Sequence, residues 1–240
     1  AFFEDTGCRL FIDYQASIDS PIAQLIKHYP IKSTNIVAHV RQATQGKVSL
    51  PNCHPFMREL WGKYWVFAHN GDLKDFHPAL NGQYLPVGFT DSEAAFCFIL
   101  QGLRERHPYR EPPLDVLFRS IREIATGIAA HGTFNFLLSN GDFMFAHCST
   151  DLFWVQRGYP FSTAKLVDCD VSIDFSHYNK PNDLITVIAT QPLTCDEQWN
   201  RFERGELLTF FNGEIVRRYT PEPPAAIPEG SEKTAGSLAC

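Results

Sequence analysis

Three stretches of the chain carry polar groups where they are free to meet a ligand. In WVFAHNGDL (65–73), four apolar or aromatic residues run into His69-Asn70-Gly71 and then turn acidic. In IVAHVRQATQG (36–46), an apolar strand delivers Arg41, followed by Thr44 and Gly46. In FTDSEA (89–94), Asp91 stands in the first turn of a helix. The planar fork of Arg41 matches a carboxylate bidentately, although an exposed surface position is the usual state of an arginine. Asp91 equally suits the positive end of its own helix dipole.

Asn-Gly is the strongest short hairpin signal in any sequence, and the chain supplies its own comparisons. Asn140-Gly141 lies between FNFLLS and DFMFAH, and Asn212-Gly213 lies between LLTFF and EIVRR. Both are expected to be type I′ hairpins. Asn70-Gly71 has a strand only before it. The following DLKDFHPAL contains a proline and two acids and does not alternate as a partner strand would. The pattern therefore favours a strand end with amides left free over a hairpin at 70–71.

These groups must be positioned by the elements around them. AFFEDTGCRLFIDY reads as two short strands about a turn at Asp5-Thr6-Gly7, and Ser20-Pro21 opens a short helix through Ile22, Leu25 and Ile26. NIVAHV (35–40) reads as a buried strand, RQATQG and SLPNCHPF as loop, and KYWVFAH (63–69) as a strand. FTDSEAAFCFILQGLRERHP (89–108) is a helix with capping-box spacing at Thr90 and Glu93, ended by Pro108. PPLDVLFRSIREIATGIAAHG (112–132) is a second helix, opened by prolines and closed by Gly132. Strands then dominate: 133–148, 151–156, 183–190 and 206–219. PEPPAAIPEGSEKTAGSLAC (221–240) has the composition of a disordered tail. Strands, two consecutive helices and more strands give an α+β fold rather than regular βαβ alternation.

Several function classes drop out. A formal net charge of −6 and the absence of a basic run speak against nucleic acid. No apolar stretch is long enough to span a bilayer, and the opening AFFEDTGCRL does not read as a secretory signal, lacking a basic segment followed by an apolar core. Neither a phosphate-binding loop nor a dinucleotide fingerprint is present. Seven widely spaced cysteines without a C-x-x-C pair suit a reducing cytoplasmic setting, not a disulfide framework or structural zinc.

Taken together and in order, AHVRQATQG, NCHPF, FAHNGDL and TDSEA resemble the glutaminase domain of class II glutamine amidotransferases, in particular the small stand-alone members. The resemblance covers residues 1–219 and implies the four-layer αββα sandwich of N-terminal-nucleophile hydrolases. It implies that Arg41, with Thr44 beside it, grips the α-carboxylate of glutamine or a γ-glutamyl amide, and that Asp91 holds the α-ammonium. The Asn70 side chain and the Gly71 N–H become the oxyanion hole. His54 and His69 match family positions and are read as structural. The resemblance calls for no metal and no cofactor. A separate synthase chain is a candidate partner. The family's nucleophile is a cysteine at the mature N-terminus, activated by its own amine, whereas residue 1 here is Ala. Two expectations follow: an upstream segment carrying the cysteine, or a catalytically silent module that binds γ-glutamyl ligands or docks to a partner.

Overall fold

The run WVFA is apolar at every position because its strand is covered on both faces. Trp65 and Phe67 point to one side and Val66 and Ala68 to the other, as the period of two requires, and all four are buried. The computed structural model describes residues 1–40, 49–167, 172–174 and 180–221. Its early elements are β1 (Phe2–Glu4), β2 (Gly7–Arg9), α1 (Pro21–His28), β3 (Phe56–Leu60) and β4 (Lys63–Leu73). The two long helices follow, α2 (Asp91–Arg106) and α3 (Leu114–Ala129), then β5 (Gly132–Ser139), β6 (Met144–His147) and β7 (Phe153–Gly158). The remaining strands are β8 (Thr163–Lys165), β9 (Ser172–Asp174), β10 (Leu184–Ala189), β11 (Asn200–Arg201), β12 (Leu207–Phe211) and β13 (Glu214–Tyr219).

The central sheet has six antiparallel strands in the order β13-β12-β6-β5-β4-β3. On one face, Trp65, Phe67, Phe134 and Phe136 pack against Phe96 and Leu100 of α2 and Leu117 and Ile121 of α3. On the other, Val66, Ala68, Ala146 and Leu208 meet Phe3, Val37, Leu152 and Phe202, with Trp154 of β7 and Ile188 of β10 at the margin. The second β layer includes the sheet β10-β7-β11. This is the helix, sheet, sheet order of the αββα sandwich, and the fold is α+β. Among the described residues the remaining α-helix is α1, and none of its residues is buried.

Local signals explain most boundaries. Ser20 caps α1 by accepting from Ala23 N at 3.1 Å, with Pro21 in the first turn. Thr90 caps α2 by accepting from Glu93 N at 3.1 Å. The box is only half formed, because the Glu93 carboxylate is used elsewhere. Its Oε1 accepts from Arg58 at 2.5 Å and its Oε2 from Gly88 N at 2.7 Å. Asn212-Gly213 is the expected type I′ turn, with φ of 49° and 80° and Phe211 paired to Glu214. Its Gly213 carbonyl accepts from Thr186 Oγ1 at 2.6 Å and Gln156 Nε2 at 2.7 Å, tying the two sheets together.

Three expectations need correction. Asn140 has no positive φ, so Asn140-Gly141 is not type I′; the Asn140 Oδ1 accepts from Asp142 N and Phe143 N and shapes a longer loop. NIVAHV is not a buried strand. It contributes one bridge, Phe2 to Ile36, and within it only Val37 is buried. Conversely, β3 and its Trp61-Gly62 turn went unread. Trp61 sits at φ 58°, held there by its indole N–H donating to the His107 carbonyl at 2.9 Å. The expected disordered tail beyond 221 lies outside the described residues.

The Glu93 carboxylate is 2% exposed and its Arg58 partner 25%. Removing it strands a cation and an N–H at the joint between β3 and α2. Glu93→Ala is expected to lower unfolding stability by about 3 kcal/mol, the lower end for a broken buried pair because Arg58 keeps some contact with water. Urea denaturation of the variant measures it.

Candidate active site

β4 is flanked on both sides only through Phe67, where β3 ends in the pair Phe56–Phe67. Beyond that point β5 continues alone, through Asn70–Asn135, Gly71–Phe134 and Leu73–Gly132. Asn70-Gly71 is therefore neither a hairpin nor a strand end: it lies inside a strand that, among the described residues, is paired on one side and open on the other.

Which way each amide points follows from the alternation along an antiparallel strand. Lys74 N donates toward β5, to the His131 carbonyl at 2.9 Å. Leu73 N donates the opposite way, to Asp91 Oδ2 at 2.8 Å. Phe134, the cross-strand neighbour of Gly71, turns its own N–H to Ser149 Oγ on the β6 side at 2.6 Å. The Gly71 N–H thus shares the direction of Leu73 and faces the open edge. The Asn70 side chain is exposed and bonds to none of the described residues. Across from it, Asn135 is 2% exposed and fully engaged, donating to Thr150 Oγ1 at 2.7 Å and accepting from the amides of Ser149 and Thr150.

Gly71 is glycine because of space rather than backbone angle. A methyl group there would stand 1.9 Å from the Thr133 carbonyl oxygen and 2.6 Å from His69 Nε2. His69 is 3% exposed and lies on the helical face, with Nε2 3.0 Å from the Thr133 carbonyl and Nδ1 2.9 Å from Ser92 Oγ. A carbonyl only accepts, so Nε2 carries the proton and Nδ1 accepts from the Ser92 hydroxyl. The structural reading of this histidine fits its two fixed partners.

Asp91 opens α2, and its carboxylate is held by two amides, Leu73 N on Oδ2 and Ser92 N on Oδ1, each at 2.8 Å. It walls a groove of about 310 Å³ between the end of β4, Pro86, Phe89 and the first turn of α2. A larger cavity of about 780 Å³ lies past the end of the sheet, lined by Lys74, Thr133, His147, Ser149 and Arg204. Asn70, Gly71 and Asp91 do not line it. Arg41 and Thr44 lie outside the described residues. His54 packs its ring 4.2 Å from that of His39 and 4.6 Å from that of Phe56.

Burial pushes the thiols of Cys97 and Cys148 up to about 11, so neither is a thiolate at neutral pH. Among the described residues, no group of three or more His, Cys, Asp or Glu is placed to hold a metal ion, and no helix is long and apolar enough to cross a membrane. Sequence reasoning missed Ser92 and Asn135. Ser92 lay in the quoted TDSEA motif. Asn135 was marked only by its polarity inside the apolar FNFLLS.

An open strand edge, a close-packed glycine and an acid at the adjoining helix start occur in the sequence order of the glutaminase motifs. The profile of the family described as glutamine amidotransferases class-II matches residues 1–234, and the chain belongs to that family. A protein of Haemophilus influenzae assigned by name to the glutamine amidotransferases is 48% identical over 233 residues, 96% of this chain and 78% of its own. The similarly assigned YafJ of Escherichia coli is 49% identical over 215 residues, 90% of this chain and 84% of its own. A crystal structure from Pseudomonas aeruginosa with the same family assignment is 41% identical, with a TM-score of 0.77 over 90% of this chain and 85% of that one.

Two outcomes follow from the packing. Gly71→Ala is expected to cost about 3 kcal/mol, the upper range for overpacking, read by thermal or urea unfolding. Burial also holds the His69 and His147 imidazoles below the ordinary value of 6.5. Their contribution is complete above pH 6.5 and is lost as pH falls below it toward the depressed folded values, because the unfolded chain then binds protons that the folded one does not. Unfolding free energy measured from pH 7.5 to 5 should decline over about that interval, with a shallower slope in His147→Gln.

Proposed function

We propose that the protein cleaves the side-chain amide of glutamine or a γ-glutamyl compound through a cysteine thioester. The observation that carries this reading is the edge of β4 left open among the described residues, where the Gly71 N–H and the Asn70 carboxamide, on adjacent residues, bond to none of those residues. In the proposed reaction a thiolate attacks the side-chain carbonyl, whose oxygen becomes negative and accepts from Asn70 Nδ2 and Gly71 N–H. The nitrogen takes up the proton that the thiol gave up and departs as ammonia or an amine, and water then hydrolyses the thioester to glutamate and the free thiol. Donors fixed before the reaction stabilise the oxyanion without reorganising, typically by about 3 kcal/mol for each one removed. The Asp91 carboxylate, already held by two amides, takes the substrate's α-ammonium, and Arg41 with Thr44 takes the α-carboxylate. A synthase chain that consumes the ammonia would be the partner.

The family's nucleophile is an N-terminal cysteine, so the assay uses the full-length natural protein. It is expected to release ammonia from glutamine or an amine from a γ-glutamyl amide. Asn70→Ala should lower kcat/KM by about 10²–10³-fold, and Arg41→Ala should act mainly on KM. Glutamate binding by calorimetry, without turnover of any γ-glutamyl substrate, would replace the enzyme by a binding module.

A further inference from the structure

We infer that His69 is a positioning residue that sets the Gly71 amide and the Asp91 carboxylate relative to one another by bridging the Thr133 carbonyl and the Ser92 hydroxyl. The inference rests on the roles proposed above for Gly71 and Asp91. His69 precedes Gly71 by two residues on the same face of β4, and its ring crosses the space a Gly71 side chain would fill. Through Nε2–H it holds the Thr133 carbonyl, which borders that same space from β5. Through Nδ1 it holds Ser92, whose N–H donates to Asp91 Oδ1 and whose hydroxyl lies 3.3 Å from that same oxygen. Asp91 closes the circuit by accepting from Leu73 N, two residues beyond Gly71.

One imidazole therefore has two arms. The Nε2 arm fixes the strand pair that aims the Gly71 N–H. The Nδ1 arm fixes the first turn of α2 that aims Asp91. A ring is suited to both because its two nitrogens are held in a rigid geometry, and its burial favours the neutral form that can donate from one and accept at the other.

The arms can be separated by side chains that keep one nitrogen each. His69→Gln places an amide donor near Nε2 and gives up the Nδ1 acceptor. His69→Asn keeps an acceptor near Nδ1 and gives up the donor to Thr133. In the full-length protein, His69→Asn should lower kcat by about 100-fold, the scale of a small misplacement of a reacting group, with KM little changed. His69→Gln and Ser92→Ala should instead raise KM by about tenfold, the worth of one hydrogen bond to a charged group, with kcat little changed. Parallel losses in kcat and KM in all three, tracking thermal stability, would overturn the inference. If the wild-type protein turns over no γ-glutamyl substrate, the functional reading fails, and amide hydrogen exchange decides the His69 assignment separately. Exchange at Leu73 should then be faster in His69→Gln and Ser92→Ala than in His69→Asn. Equal rates would overturn it.

Discussion

The hydrogen bond from Leu73 N to Asp91 Oδ2 joins two layers of the sandwich at one point. On one side is the open edge of β4, on the other the first turn of α2. Without that joint the helix would still pack, since Phe96, Ile99 and Leu100 bury it against the sheet. Hydrophobic burial, however, is non-directional and fixes the depth of a helix better than its azimuth. The polar contacts at its N-terminus supply direction: Thr90 caps it, Glu93 reaches to Arg58 and Gly88, and Asp91 reaches to β4. The Thr90 and Asp91 contacts use a helix-terminal and a strand-edge N–H that the regular ladders leave without a partner.

The elements readable from sequence are those whose signals are local. The long helices carried both periodicity and caps, and β5, β6, β12 and β13 carried largely apolar runs on either side of Asn-Gly turn signals. β3 did not, because Arg58 and Glu59 interrupt it and because its turn is Trp-Gly. A tryptophan with positive φ is explained only by the His107 carbonyl, 46 residues away. NIVAHV failed in the opposite sense. It looks like core, yet among the described residues only β1 pairs with it, and solvent reaches most of it.

The site divides in the same way. The order of motifs was legible and led to the family, which the comparison across residues 1–234 bears out. The direction of the Gly71 amide was not legible, since it depends on register with β5 and on where β3 stops. Nor was the reason for the glycine, which is the proximity of a carbonyl and an imidazole from two strands. Asn135 was invisible for a related reason. Its importance comes from lying opposite Asn70, a relation that exists only after the strands pair.

β3 has five residues and its partner β4 eleven. That mismatch leaves the β4 amides past Phe67 unmatched by any neighbouring carbonyl of β3. Ladder hydrogen bonds form readily wherever a second strand runs alongside, so each residue added to β3 at its Phe56 end would seal another stretch of this edge. The length of β3 is therefore a specification in its own right. A sequence change in the 49–55 connection could silence the edge while leaving every residue on it, and the whole hydrophobic core, as they are.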